Sequence, residues 1–339
     1  MWQVYLCTCL RQGENMLDIN DFGKKQIIFV FLNVGEKISY SNDNIIVKTK
    51  EGTIKYQTTC YRIFALFVVG NFTLTSGLLQ RAKKYGFGIV LMTHSLRVYE
   101  ILCCPMEGNT LLHRHQYVFK GNELGKHIII NKIINQRYYL NKIRKKNEEI
   151  KNAIQIIDKS LKHLQDSEYN DLSSIMGVEG SIARVYFNNI FDSVDWKGRK
   201  PRIKFDMTNS VLDIGYTILF NFIEALLNLY GFDLFVGVLH QQFYMRKSLV
   251  CDLIEPFRAM IDWQIRKSIN LGQFKEDDFN VINGQYLLKW SENPKYVSIL
   301  MEPLLEHRAE IFLYIQAYYR AFMKQKSISE YPLFLAEEA

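Results

Sequence analysis

The apolar residues of this chain change their spacing once, and that change limits the fold more than any other feature. Up to about residue 105 they come in short β-branched and aromatic runs: Ile27–Leu32, Ile45–Lys48, Ile54–Gln57, Tyr61–Val69 and Gly88–Thr93. Runs of this kind, separated by turn residues, predict strands, and Lys50-Glu51-Gly52 predicts a hairpin turn. Leu78–Tyr85 predicts one short helix among them. Beyond Gly121 the period lengthens. Ile150, Ile154, Ile157, Leu161 and Leu164 fall on one helical stripe. Further helices are predicted near 171–192, 209–230, 249–270 and 299–324. The expectation is an α+β protein, with a small N-terminal β-sheet domain over 25–105, a linker over 106–121 and a larger all-α domain over 122–324. Residues 1–24 join neither pattern and are expected to be an extension of uncertain order. Residues 325–339 are expected to be a loosely ordered tail.

Two domains suit a chain of 339 residues, 48% of them hydrophobic. Six cysteines without a C-x-x-C pair argue against a structural zinc site or a disulfide framework, and predict reduced thiols in a cytoplasm. The apolar run Val211–Tyr230 is interrupted by Asp213 and Glu224. Each acid would cost about 2.5–3.5 kcal/mol at a membrane centre, so a buried core helix is expected and no membrane partner. The formal charge of +7 allows a polyanionic partner without requiring one. Lys142, Arg144, Lys145 and Lys146 concentrate that charge. They read as a solvated helix face or as phosphate contacts.

One acid stands on the wrong face of its helix. Near 171–192 the apolar stripe is Leu172, Ile175, Met176, Ile182, Ala183, Tyr186 and Ile190, and Glu179 falls inside it. A carboxylate there is costly unless it is paired, protonated or bound to a cation. A salt bridge to a core arginine would explain it equally well. Gly177 and Gly180 flank it, each costing about 1 kcal/mol against alanine in a helix, which predicts a close approach at this turn.

A second cluster follows. Asp252 and Glu255 lie at i and i+3, so both leave one helix face. Ser248 is placed to cap that helix, and Pro256 should kink or open it. His240 precedes it. A lone histidine there is commonly a core or loop residue, but beside three carboxylates it completes a set that suits Mg²⁺ or Mn²⁺. Such an ion would polarise a phosphodiester, which would give the basic excess a purpose.

The sequence blocks around these residues resemble the CRISPR-associated adaptation integrases. They are Met176-Gly-Val-Glu179-Gly-Ser-Ile-Ala-Arg-Val-Tyr186, Asp206-Met-Thr-Asn209 with Gly215-Tyr216, Gly237-Val-Leu-His240, and Ser248-Leu-Val-Cys-Asp252-Leu-Ile-Glu255-Pro-Phe-Arg258. Asn42-Asp43-Asn44, Thr73-Leu-Thr-Ser-Gly77 and Gln80-Arg-Ala-Lys-Lys84 extend the likeness into the β domain, over about Lys25 to Lys324 in all. The resemblance implies an enzyme that inserts prespacer DNA into a CRISPR array by 3′-hydroxyl transesterification. It implies Glu179, His240 and Glu255 as metal ligands for Mg²⁺ or Mn²⁺, with Asp252 beside them as a supporting or alternative ligand. Arg258 would contact phosphate, with Lys145 and Lys146 as further DNA contacts, and Asn209 would brace the site. The implied partners are double-stranded DNA (prespacer and CRISPR repeat), a second copy of the chain in a homodimer, and a small ferredoxin-like adaptation protein completing a heterohexamer. Two other readings stay open: a structure-selective endonuclease for branched DNA, with water as nucleophile, and a non-catalytic DNA-binding scaffold.

Overall fold

The computed structural model describes residues 22–102, 109–166, 171–194, 196–240 and 243–336. Most of the expected N-terminal extension, residues 1–21, lies outside that range, as do 103–108 of the region around the expected linker and the last three residues. The chain divides into two compact units, 1–112 with 224–232, and 113–223 with 233–339.

The first unit is built on two sheets. β1 (Gln26–Leu32), β5 (Ile63–Gly70), β6 (Gly88–Met92) and β7 (Val98–Leu102) form a four-stranded sheet in the order β1-β5-β6-β7. β1, β5 and β6 run parallel and β7 antiparallel. All eight residues of β5 are buried, as expected of an inner strand with a near-continuous apolar run. β2 (Lys37–Ser41), β3 (Asn44–Lys48) and β4 (Ile54–Thr59) form an antiparallel sheet of three. The β3–β4 turn falls at the predicted place: Gly52 takes φ +86° and its N–H donates to the Thr49 carbonyl. The core joins Ile28, Val30 and Leu32 of β1 to Ile45 and Val47 of β3, and to Leu78 and Ala82 of α1 (Ser76–Tyr85). Short β2 and β7 were not anticipated, since neither carries a long apolar run.

The second unit is mainly helical: α2 (Thr110–Val118), α3 (Asn122–Asn141), α4 (Glu148–Asp166), α5 (Leu172–Ile190), the long α6 (Met207–Tyr230), α7 (Ser248–Leu253), α8 (Arg258–Asn270), α9 (Asn293–Glu306) and α10 (Arg308–Met323). α2 occupies much of the expected linker. α6 is the apolar run read as a core helix, and 83% of its most apolar window is buried. It also carries residues 224–230 of the first unit. Pro256 opens the helix as expected: Glu255–Phe257 is a single 3-10 turn between α7 and α8. Ser248 does not cap α7; it is the first helical residue, and Lys247 precedes it.

Three details depart from the expected all-α unit. β8 (Phe279–Ile282) and β9 (Gln285–Leu288) form a hairpin around Asn283-Gly284, both at positive φ. The basic cluster lies in the turn between α3 and α4 rather than on a helix face. The tail is packed, with Tyr331, Phe334 and Ala336 buried. Its backbone is held by two asparagines of α3. Asn131 donates to the Phe334 carbonyl at 2.6 Å and accepts from the Phe334 N–H at 2.9 Å, and Asn135 accepts from the Ala336 N–H at 2.9 Å. Side-chain amides supply the donor and acceptor that a neighbouring strand would otherwise give, so the segment needs no sheet to be ordered.

Candidate functional site

The predicted ligands arise on three elements of the helical unit: Glu179 on α5, His240 at the end of the loop after α6, and Asp252 and Glu255 around the Pro256 break. Pro256 has no N–H to close the normal helical bond to Asp252, which separates the two acids into different surroundings.

Asp252 turns toward the loop. It is fully buried, and four donors satisfy it. Its Oδ2 accepts from the N–H groups of Val238 (2.6 Å) and Leu239 (3.0 Å). Its Oδ1 accepts from the His240 N–H (2.9 Å) and lies 2.6 Å from His240 Nδ1. A proton on Nδ1 completes this bond and leaves the lone pair at Nε2 as the ring's acceptor; the tautomer follows from the hydrogen-bond network. Gly237 must be a glycine here. A Cβ on it would lie 2.6 Å from Asp252 Oδ2 and 2.8 Å from Ser248 Cβ.

Glu255 turns toward α3. Its side chain is only 4% exposed and meets two cations: Lys132 Nζ lies 2.7 Å from Oε2, and Arg258 Nη2 lies 3.1 Å from Oε1. The same Lys132 ammonium stands 2.5 Å from Glu179 Oε1. Glu179 and Glu255 therefore converge on one cationic atom. Burial pushes the Glu255 carboxyl up, but Arg258, Lys132 and His240 together outweigh it and hold the group below its ordinary value. For Lys132, burial favours the neutral amine, and the two glutamates reverse that, so it stays protonated.

Among the described residues, no three His, Cys, Asp or Glu side chains are grouped closely enough to hold an ion as they stand. The place where the two glutamates meet is taken by a lysine. The donor set nevertheless fits a hard divalent ion. Two carboxylates already share a cation, and the histidine of the expected set is fixed through Nδ1 by a carboxylate, the usual brace of a metal-bound imidazole. The partner of Glu179 is thus a core base, as the sequence allowed, but a lysine from α3 instead of an arginine.

The other predicted residues divide. Arg258 pairs with Glu255 and lies over the Tyr216 ring, 4.8 Å from its centroid. Asn209 braces the loop before α6: it accepts from Arg199 and from the Lys200 N–H, and donates to the Gly198 carbonyl and Asp206. Arg199 in turn lies over the same Tyr216 ring. Lys145 is exposed in the turn after α3, and Lys146 is tied to the Ile143 carbonyl at 2.8 Å; the structure brings neither to this cluster. Among the described residues, nothing makes the close approach expected at Gly177 and Gly180. A Cβ on either would meet no described residue within 4 Å, and among the described residues the α5 surface beside Glu179 is open.

The sequence model of CRISPR associated protein Cas1 matches residues 29–301, most of the chain and all of these site residues. The chain belongs to the Cas1 family. A Cas1 relative from Thermodesulfovibrio yellowstonii, named a CRISPR-associated endonuclease, is 29% identical over 279 residues, covering 77% of this chain and 86% of its own. Among solved structures, a Cas6-RT-Cas1--Cas2 complex chain matches 92% of this chain with a TM-score of 0.77 at 22% identity. This chain spans 36% of that longer one. A casposase bound to integration product matches 88% of this chain and 91% of its own, with a TM-score of 0.74 at 20% identity. These two likenesses establish that the Cas1 fold is shared.

Lys132 was missed in the sequence although a signal existed. Asn131, Lys132, Asn135 and Gln136 are all buried on α3 among Ile128, Ile129 and Ile133. Four polar residues inside an apolar surface ask for partners as urgently as Glu179 does.

Proposed function

We propose that this Cas1-family chain is a divalent-metal-dependent DNA integrase and endonuclease, acting through Glu179, His240 and Glu255. The observation that carries the reading is that two glutamates far apart in sequence converge on one cationic atom, while the histidine of the same expected set is fixed by Asp252. Mg²⁺ or Mn²⁺ held by these three side chains would supply Lewis-acid polarisation of a phosphodiester and stabilise charge on its oxygens.

The chain's own residues do the rest by position and charge. The four donors around Asp252 lock the loop Val238–His240, so the imidazole is presented in one tautomer and one orientation. Arg258, held by Glu255 and by the Tyr216 ring, keeps a guanidinium beside the carboxylates, where it can pair with a phosphate oxygen as charge builds there. The open α5 surface at Gly177 and Gly180 lets a DNA backbone come close to Glu179. In strand joining, a 3′-hydroxyl of the incoming duplex bonds to a target phosphorus and the target P–O3′ bond breaks, which conserves the number of phosphodiesters. With water in place of the hydroxyl, the same site cuts, as the relative's name of endonuclease says of that protein. The partners we assign are prespacer and repeat DNA, a second copy of the chain, and a small ferredoxin-like adaptation protein. The casposase bound to integration product supports the DNA assignment, and the Cas6-RT-Cas1--Cas2 complex supports a second Cas protein as partner.

The test uses a labelled duplex with free 3′-hydroxyl ends and a supercoiled target carrying a repeat, in Mn²⁺. Wild type should give joined product; nicked target alone would favour hydrolysis. His240→Ala and Glu179→Ala should each abolish joining while keeping a cooperative unfolding transition. Wild-type joining by either variant would sink the assignment.

A further inference from the structure

We infer that Lys132 is a resident counter-cation for the two ligand carboxylates, and that a divalent ion binds by displacing its ammonium. The inference rests on the metal reading above and adds a competitor to it. Lys132 Nζ touches Glu179 at 2.5 Å and Glu255 at 2.7 Å, so it stands where an ion bridging those carboxylates would stand. The local charge balance gives the reason. Two carboxylates, Glu179 and Glu255, face one ammonium, Lys132, and one guanidinium, Arg258. These charges cancel. A divalent ion added to an unchanged cluster would leave two excess positive charges among largely buried groups, which is costly in a medium of low polarisability.

Moving one of the two cations away relieves that excess, and the surroundings choose which. Arg258 is a rigid fork stacked on the Tyr216 ring and paired with Glu255. Lys132 ends a flexible four-carbon stem, and one of its two partners, Glu179, is 21% exposed beside the open α5 surface. With the ammonium gone, the divalent ion and Arg258 exceed the two carboxylates by one positive charge, a balance suited to a phosphodiester. In the metal-free protein the same ammonium keeps the glutamates together.

Mn²⁺ binding to the full-length protein, followed by calorimetry, tests this. An ammonium that holds the position about 90% of the time lowers apparent affinity about tenfold, so Lys132→Met should bind Mn²⁺ about tenfold more tightly than wild type. Equal or weaker binding by the variant would overturn the competition while leaving the metal reading standing. Absence of binding by both proteins would sink the metal reading, and the competition with it. A measurement on wild type alone avoids dependence on the variant's folding. Acetic anhydride should modify Lys132 slowly in metal-free protein and faster at saturating Mn²⁺, scored by mass spectrometry. A Lys132 rate that Mn²⁺ leaves unchanged, in protein shown to bind the ion, would also overturn the proposal.

Discussion

Glu255 and Asp262 are both buried, lie two turns apart around the start of α8, and are neutralised in different ways. Glu255 meets an ammonium and a guanidinium, and these hold its carboxyl below its ordinary value in spite of burial. Asp262 is 1% exposed and its nearest partner is a hydroxyl: Tyr216 donates to Oδ1 at 2.5 Å, and the Tyr186 hydroxyl also faces it. Burial outweighs these hydroxyls and the more distant Arg258 and Arg199, and pushes Asp262 up to about 6. Direct contact with full charges keeps a buried acid ionised. Hydroxyl contact makes a buried acid a structural element that takes up a proton near neutrality. Burial alone does not decide whether a buried acid stays ionised; the kind of partner does.

The strongest way to break this contrast is to remove the ammonium. Lys132→Met leaves Glu255 with Arg258 and leaves Glu179 with partial access to water. The expected loss in metal-free buffer at pH 7 is therefore near the low end for a broken buried pair, about 3 kcal/mol. Urea unfolding should show it as a lower midpoint with an unchanged slope. Adding Glu179→Gln restores the charge balance around the intact Glu255–Arg258 pair, and the double variant should recover more than half of the loss. A double variant no more stable than Lys132→Met would mean that the loss reflects packing of the lysine stem, not its charge.

At the other end the expected effect is set by pH. Asp262 has its folded value raised to about 6 from an ordinary 3.8. Between those values the folded state holds the proton more tightly than the unfolded state. Its contribution is full below about pH 4 and is lost as pH rises through 6. Asp262→Asn abolishes this titration and can still accept from Tyr216. Its stability relative to wild type should therefore improve between pH 4 and pH 7, by about 2–3 kcal/mol, since each tenfold difference in proton affinity is worth roughly 1.4 kcal/mol. A flat difference across that range would show that Asp262 titrates normally when folded.

The same distinction between local and distant partners explains what could be read from the sequence. The strand runs, the α4 stripe, the Pro256 break and the oddity of Glu179 are local, because side-chain period and proline chemistry act over a few residues. The placement of β5 between parallel β1 and β6 was not legible, since parallel pairing is set by crossovers and not by neighbouring residues. The β8–β9 hairpin was legible and was overlooked: Val281-Ile282-Asn283-Gly284 carries the Asn-Gly signal of a tight turn. At the site, i and i+3 spacing correctly put Asp252 and Glu255 together on the chain but implied one shared cation. The 3-10 turn sends Asp252 to backbone amides and Glu255 to Lys132 instead. The tail was judged by its position at the end of the chain, whereas its order comes from Asn131 and Asn135, far away in sequence. Asn135 also donates to the Pro256 carbonyl at 3.1 Å, which ties the tail to the turn that carries Glu255.

A smaller change sharpens the contrast by altering one atom. Tyr216→Phe removes the hydroxyl that donates to Asp262 and keeps the ring beneath Arg258 and Arg199, at 4.8 and 5.5 Å. The guanidinium contacts with the ring face should survive, so Arg258 should stay paired with Glu255. Without the donor, the ionised form of Asp262 loses support and its titration should move above 6. The stability cost at pH 7 is held to about 1–2 kcal/mol, because the acid can escape the unsatisfied state by taking up a proton. Below pH 5, where the carboxyl is already protonated, the cost should shrink. Carbon-detected NMR titration of the Asp262 carboxyl, compared with Asp262→Asn to assign the signal, reads the change directly. If the titration midpoint stays near 6 in Tyr216→Phe, then burial and the arginines set it, and the hydroxyl has no part in separating Asp262 from Glu255.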